Sequence, residues 1–284
     1  MDYLQEFLNY ERFGRGFSEN TILMYHGAVL NFANWLKPRA METASKADMI
    51  NFMCEKSKKG LSPKTINCYC AAISSYYDFC IDFHGKEYTV NPMRGVPLMK
   101  CPKQLPKYLK REAVEQLITS INPYGFARCR TRALLKFMLH TGARSSEVIN
   151  IKTTDIDFSS RTVIVTGKGK KQRIIPLSEE LVVELDNFIS VRPNSEFFFC
   201  QFDGHKLEYK ELYRHIKSQL RKITTEANAH PHTLRHSFAT TLAKAGVSLF
   251  TIQRLMGHTT ISTTMAYLSL EFSDITNEFN KVFS

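Results

Sequence analysis

Four prolines between Asn91 and Lys107 limit the folding of this chain more than any other feature. Pro92, Pro97, Pro102 and Pro106 alternate with Arg94, Lys100, Lys103 and Lys107. Each proline removes a backbone donor and clashes with the preceding helical turn, so the segment reads as an extended basic strap. Residues 91–107 thus predict a linker between a domain at 1–90 and a second at 108–284. A chain of 284 residues is long enough for each part to bury its own core.

Upstream of the strap the sequence reads as four helices. The first, over about residues 2–12, carries Leu4, Phe7 and Leu8 at helical spacing. Ser18 is the expected N-cap of the second, which bears Ile22, Tyr25, Val29, Phe32 and Leu36 along one side. Ser45, with Asp48 three residues on, opens the third as a variant capping box, and Gly60 stops it. Ser62 and Pro63 open the fourth, whose series Ile66, Tyr69, Ile73, Tyr76, Tyr77 and Cys80 runs toward Phe83. Aromatic residues at this spacing predict a core rather than a base-stacking surface. Lys56, Lys58, Lys59 and Lys64 gather where the third helix gives way to the fourth, as a grip on a DNA backbone or as an ordinary solvated helix end.

Downstream, helices are expected over residues 110–121 and 126–140. Gly142 ends the second of these, and Arg144 follows just before a short helical turn opened by Ser145, Ser146 and Glu147. Glu147 is near enough to orient the Arg144 guanidinium, or to form a plain surface ion pair of little energetic value. A β region comes next, with strands expected at 155–158, 162–166 and 173–177. The turn between the last two is Gly167-Lys168-Gly169-Lys170-Lys171-Gln172. Its glycines leave Lys168 able to reach a ligand; the alternative is a solvated basic loop or a nonspecific phosphate contact, with Lys170 and Lys171 as weak DNA-backbone contacts, and the spacing of a Walker motif is missing. Helix is expected from Ser178 to about residue 190, then a buried extended piece at Phe197, Phe198 and Phe199, then helix over 209–224.

His232-Thr233-Leu234-Arg235-His236 places two imidazoles and a guanidinium within five residues. With a helix starting near Thr233, Arg235 emerges in the first turn and His232 stands at the entrance, beside amides that attract anions. The cluster suits a phosphate, although His232 and His236, four apart, can also share a face and ligate zinc. Gly246 stops this helix, Ser248 caps another that ends at Gly257-His258, and a short one follows to Tyr267. Phe272, Ile275, Phe279 and Val282 then form a stripe at helical period that either covers its own domain or docks on a neighbouring protomer.

Hydrophobic residues make up 43% of the chain, which excludes a disordered protein. No uninterrupted apolar run approaches the roughly 20 residues of a membrane span. Met1 to Glu6 lack the features of a signal peptide, which predicts a cytoplasmic protein. Lys and Arg outnumber Asp and Glu by 38 to 27, a net charge of +11 that favours a polyanionic partner. From Pro106 onward the balance is 25 to 17, so most of the surplus lies in the C-terminal part. The seven cysteines are odd in number and lack Cys-x-x-Cys spacing, so reduced thiols are expected rather than disulfides or a zinc ribbon.

In chain order, five motifs closely resemble those of the tyrosine recombinases, also called the phage integrase family. They are Thr141-Gly142-Ala143-Arg144-Ser145-Ser146-Glu147, Gly167-Lys168-Gly169, His232-Thr233-Leu234-Arg235-His236, Leu255-Met256-Gly257-His258 and Ser262-Thr263-Thr264-Met265-Ala266-Tyr267. The layout is most similar to the small Xer-type members, over essentially the whole chain. The resemblance implies a mainly α fold with a small antiparallel β-sheet: a helical core-binding domain, a basic linker and an α+β catalytic domain.

It further implies a site-specific DNA recombinase that works through a 3′-phosphotyrosyl intermediate, in chromosome dimer resolution or in integration and excision of a mobile element. By the matching positions Tyr267 is the nucleophile, and Arg144 and Arg235 bind the nonbridging oxygens. Lys168 is the general acid, with Lys170 and Lys171 as alternatives on the same loop. His232 is a general base or positions the phosphate, and His258 donates to a nonbridging oxygen. Glu147 supports Arg144, and His236 is structural. The resemblance implies no metal or ATP, a double-stranded DNA partner, and four protomers on two duplexes, with a helix at 273–283 as a candidate contact. Two readings from other classes compete. The intact residue set speaks against a catalytically silent DNA binder, and the lack of the usual ligand spacing and carboxylate base against a zinc hydrolase on His232, His236 and His258. An enzyme that only relaxes supercoils would share the chemistry, but the two-domain layout favours recombination.

Overall fold

The computed structural model describes residues 3–102, 108–167, 169, 171–224 and 229–257. The chain divides into two compact units, Met1–Lys103 and Gln104–Ser284. Among the described residues no helix is long and apolar enough to cross a membrane.

The first unit is helical. Helix α1 (Leu4–Asn9) widens into a π-helical stretch, Tyr10–Gly14, and is followed by α2 (Glu19–Leu36), α3 (Lys46–Lys58) and α4 (Pro63–His84). Ser45 and Ser62 cap as the sequence predicts, whereas Ser18 occupies the N-cap position of α2 without a side-chain cap bond, its Oγ pairing instead with Thr21 Oγ1 at 3.0 Å. Asp48 N donates to Ser45 Oγ at 3.2 Å while Ser45 N donates to Asp48 Oδ2 at 2.8 Å. Ser62 Oγ accepts from Thr65 N at 3.1 Å, with Pro63 as the first helical residue. Phe7, Val29, Phe32, Met49, Phe52, Ile66, Ile73 and Tyr76 are fully buried, so the aromatic series forms a core.

Lys56 is not a DNA-backbone contact in waiting. Its position follows Met49, Phe52 and Met53 at helical spacing, which turns it inward. Its Nζ lies over the Phe52 ring, 5.0 Å from the centroid, and donates to Asn31 Oδ1 at 2.6 Å. Lys58, Lys59 and Lys64 are exposed, with Lys59 paired to Glu55.

The strap is irregular where described, but its first part belongs to this unit. Asn91 is buried and donates to Asp78 Oδ1 at 2.7 Å and to Ser74 O at 3.1 Å. Met93 and Val96 join the core, and Asn67 Oδ1 accepts from Met99 N at 3.0 Å. The first compact unit therefore extends past the expected end at residue 90. Residues 103–107 lie outside the described residues.

The second unit begins with α5 (Arg111–Ser120), α6 (Phe126–Thr141) and the short α7 (Ser145–Val148). A three-stranded antiparallel sheet follows: β1 (Ile156–Asp157), β2 (Thr162–Thr166) and β3 (Gln172–Pro176). Val163 stands opposite Ile175 and Val165 opposite Arg173. Val163, Val165 and Ile175 are buried while Ile164 and Ile174 are exposed, the alternation of a sheet with one wet face. Helices α8 (Glu179–Ile189), α9 (Tyr209–Leu220), α10 (Pro231–Lys244) and α11 (Leu249–Met256) complete the described part. Phe198 and Phe199 are fully buried beside Phe188, as the aromatic run predicts. Helix α9 stops short of the expected Thr224, and α10 begins two residues earlier than expected, with His230 as its N-cap. Arg235 therefore sits in the second turn of α10 and His232 inside the first.

Gly142 terminates α6 in the left-handed region, φ +62°, and a Cβ there would run into the Phe238 ring of α10. Both the backbone and the packing at this corner require glycine. Gly142→Ala is expected to destabilise the second unit by roughly 2–4 kcal/mol, from left-handed strain plus overpacking. Urea denaturation followed by far-UV circular dichroism measures this loss.

Candidate active site

The site is built around a buried carboxylate. Glu147 on α7 is only 3% exposed. Its Oε1 accepts from Arg173 Nη1 and from Arg144 Nη1, each at 2.9 Å. Its Oε2 accepts from Arg173 Nη2 at 2.8 Å and from the Arg144 backbone N at 2.7 Å. Arg173 thus grips it with a two-pronged fork, the strongest geometry open to this pair. Desolvation is the largest influence on Glu147 and raises its pKa, but the Arg173 hydrogen bond and charge, followed by Arg144, outweigh it and hold the carboxyl below its ordinary value. The plain surface pair that the sequence left open is not what forms.

The second organising feature is the C-terminus of α11, where a helix leaves carbonyls without intrahelical partners. Three arginines from three elements donate to three consecutive carbonyls. Arg173 Nε, from β3, donates to Leu255 O at 2.7 Å. Arg235 Nη2, from α10, donates to Met256 O at 2.5 Å, and Arg144 Nη2, from the start of α7, donates to Gly257 O at 3.4 Å. Gly257 has φ +61°, and an added Cβ would meet Arg173 Nη1 at 3.1 Å. Arg235, 3% exposed, also donates through Nη1 to Gly142 O at 2.6 Å, so the ends of α6 and α11 meet at one guanidinium.

His232 lies one turn before Arg235 on α10. It is exposed, yet desolvation, followed by the neighbouring His230 ring and the charges of Arg235 and Arg144, lowers its pKa. It is therefore neutral at pH 7 and able to accept a proton. His236, one turn further on and half-buried, is held at about 4, mainly by desolvation and then by His232. That neutral, shielded ring suits the structural part expected of it.

Of the residues expected at the site, the structure brings together Arg144, Glu147, His232, Arg235 and His236. Lys168, Lys170, His258, Tyr267 and the tail at 273–283 lie outside the described residues. Lys171 is exposed, and its carbonyl accepts from Gly167 N at 2.8 Å, closing the hairpin. Sequence reasoning missed Arg173 and His230. For Arg173 a signal existed: it shares the inward face of the sheet with Val163, Val165 and Ile175, where a charge needs a counter-charge. Among the described residues, His232 and His236 join no group of three potential metal ligands. The group that exists, Glu115, His140 and Glu180, has Lys136 Nζ at 3.6 Å from both carboxylates.

Comparison with known proteins gives the following matches. Residues 107–274 match the model described as "Phage integrase family", and residues 4–83 that described as "Phage integrase, N-terminal SAM-like domain". Tyrosine recombinase XerC of Bacillus subtilis (strain 168) is 32% identical over 98% of this chain and 95% of its own. Tyrosine recombinase XerD of Listeria innocua serovar 6a is 29% identical over 98% of both. Among solved structures, XerH bound to palindromic difH substrate superposes with a TM-score of 0.76 at 22% identity, over 95% of this chain and 82% of that one. A lambda integrase dimer bound to a COC′ core site gives 0.78 at 16% identity, over 94% of each. The last two establish the likeness of fold.

Replacing Glu147 by Gln removes the one negative charge between Arg144 and Arg173. The expected loss is about 3–5 kcal/mol, because two guanidiniums are left without a buried counter-charge. Trp35, the sole tryptophan, lies in the first unit, so the loss appears in circular dichroism and not in tryptophan fluorescence. The folded pKa of Glu147 lies below the unfolded 4.5, so its contribution is complete above that pH and disappears as pH falls through the depressed value. Parent and variant curves are expected to converge in acid.

Proposed function

The chain belongs to the phage integrase family, and from that premise we propose that it is a site-specific DNA recombinase that cuts and rejoins strands through a tyrosyl phosphate. The observation that carries this reading is the convergence of Arg144 and Arg235 on the end of α11, beside a neutral His232 and immediately before His258 in the sequence. A phosphodiester gains negative charge on its nonbridging oxygens in the transition state. Guanidiniums fixed in advance stabilise that charge without reorganising.

In the proposed reaction the Tyr267 oxygen attacks phosphorus as the bond to the 5′-oxygen breaks. The phenol, with an ordinary pKa near 10, gives up its proton to His232 as general base. Lys168 on the hairpin returns a proton to the departing 5′-oxygen, with Lys170 and Lys171 as the nearest alternatives, and His258 donates to a nonbridging oxygen. The phosphotyrosine keeps the energy of the broken bond, so a 5′-hydroxyl from a second duplex can reverse the step and exchange strands. Glu147 acts through Arg144. No step calls for metal or ATP. The surplus of positive charge favours a duplex partner by attraction to its phosphates, with Lys58, Lys59 and Lys64 as surface contacts in the first unit. Four protomers on two duplexes, joined through the helix at 273–283, complete the reading, and the cytoplasm is where it would operate.

The test begins by selecting the preferred site from randomised duplexes by binding. A nicked suicide duplex carrying that site is then incubated with the protein in EDTA, and a denaturation-resistant protein–DNA adduct is sought. Parent protein is expected to form the adduct and Tyr267→Phe to form none while still shifting the DNA. An adduct that persists in the variant, or that requires added metal, contradicts the mechanism; binding without any adduct indicates a silent binder.

A further inference from the structure

N-caps are ordinarily Ser, Thr, Asp or Asn, whose short side chains present an oxygen to the first-turn amides. Helix α10, which carries both Arg235 and His232, is capped by an imidazole. The His230 backbone is extended, its Nδ1 accepts from His232 N at 3.2 Å, and its own N donates to Thr233 Oγ1 at 3.1 Å. The ring stacks near Tyr213 with centroids 6.1 Å apart and meets the His232 ring edge-on at 5.8 Å. Pro231, buried and first in the helix, sets the chain direction between the two histidines.

Only a neutral imidazole carrying its proton on Nε2 can accept at Nδ1. A second proton would set Nδ1–H against the His232 N–H and place a cation at the positive end of the helix. We propose that His230 is a positioning residue for His232: its neutral ring fixes the first turn of α10, and its protonation releases that turn. The role at the phosphate rests on the assignment of His232 made above; the cap itself does not.

The surroundings keep the ring neutral. Tyr213 and Lys217 face it from α9, and His232 and His236 from its own helix, with no carboxylate among the described residues to favour imidazolium. Burial, and then the Lys217 charge, lower the His230 pKa from 6.5. The cap is therefore complete above that pH and is lost as pH falls through the depressed value.

Two variants test the cap. His230→Asn keeps a neutral acceptor that does not titrate, and His230→Ala keeps neither ring nor acceptor. In nitrogen-15-labelled full-length protein without DNA, the His232 amide resonance is expected to shift with an inflection at the pH where the His230 ring titrates. In H230N that inflection disappears. In the adduct assay H230A slows adduct formation about fivefold above the pH at which His230 titrates, the equivalent of a typical lost cap of about 1 kcal/mol, and the difference from the parent closes below it, with DNA affinity unchanged. H230N restores the rate to within about threefold near pH 8 and holds it to lower pH than the parent. A His232 amide indifferent to the His230 titration, or an unaltered acid limb in H230N, overturns the proposal. A parent that forms no adduct overturns the function proposed above instead, and the amide titration then decides the cap on its own.

Discussion

Three guanidiniums and one carboxylate at the end of a short helix hold the described part of the catalytic unit in its working shape. Two like charges about 4 Å apart repel by roughly 4 kcal/mol at the effective dielectric typical of a protein surface. Bringing Arg144, Arg173 and Arg235 to one place therefore needs compensation. It comes from Glu147, which carries a full negative charge, and from the carbonyls of Leu255, Met256 and Gly257, which carry the negative end of the α11 dipole. The compensation is partial by construction: three positive charges face one full negative one. The remainder is a net positive charge, which on the proposed function receives a phosphate.

The fold supplies these groups from separate elements, and the junctions explain why each is held. Gly142 turns the chain so that Arg144 leaves α6 directly at the start of α7, and its carbonyl receives Arg235 from α10. Arg173 ties the hairpin strand β3 to the end of α11 through Leu255 O, and to α7 through Glu147. In sequence, Lys168 lies at the tip of that hairpin and His258 directly follows α11. Arg173 thus fastens the elements from which two further proposed catalytic groups depart. Lysine in its place would keep the charge and lose the fork, since an ammonium has no planar pair of donors.

Much of this was legible in the sequence, for identifiable reasons. Caps and stops are local, so Ser45, Ser62, Ser248, Gly142 and Gly257 could be assigned from one or two neighbours. Phe198 and Phe199 could be placed because so apolar a run has few alternatives to burial, although Phe197 at its start is only half-buried. The pairing of Arg144 with Glu147 followed from their spacing, although its burial did not, because that depends on β3 arriving from 26 residues away. Lys56 was misjudged because residue type was weighed above helical register: it continues the inward series Met49, Phe52 and Met53. The start of α10 was placed late because histidine is not an expected N-cap, and what makes His230 one is the neutral state its surroundings impose.

The same positive field serves two purposes that are usually in tension. On the proposed function Arg144 and Arg235 attract a phosphate, and after desolvation, the largest cause, they also help to lower the pKa of His232 before DNA arrives. A base whose pKa is depressed in this way is available but weak. On the proposed function, binding of a phosphodiester would bring negative charge to those guanidiniums and remove part of the field that adds to the depression of His232, so its basicity would rise when a phenol is presented for deprotonation. Carbonyl contacts that already fix the planes of Arg144 and Arg235 mean that the substrate orders little on arrival. On the proposed mechanism the network around Glu147 therefore keeps the site from collapsing under its own charge, and it lets substrate binding turn a neutral histidine into a competent base.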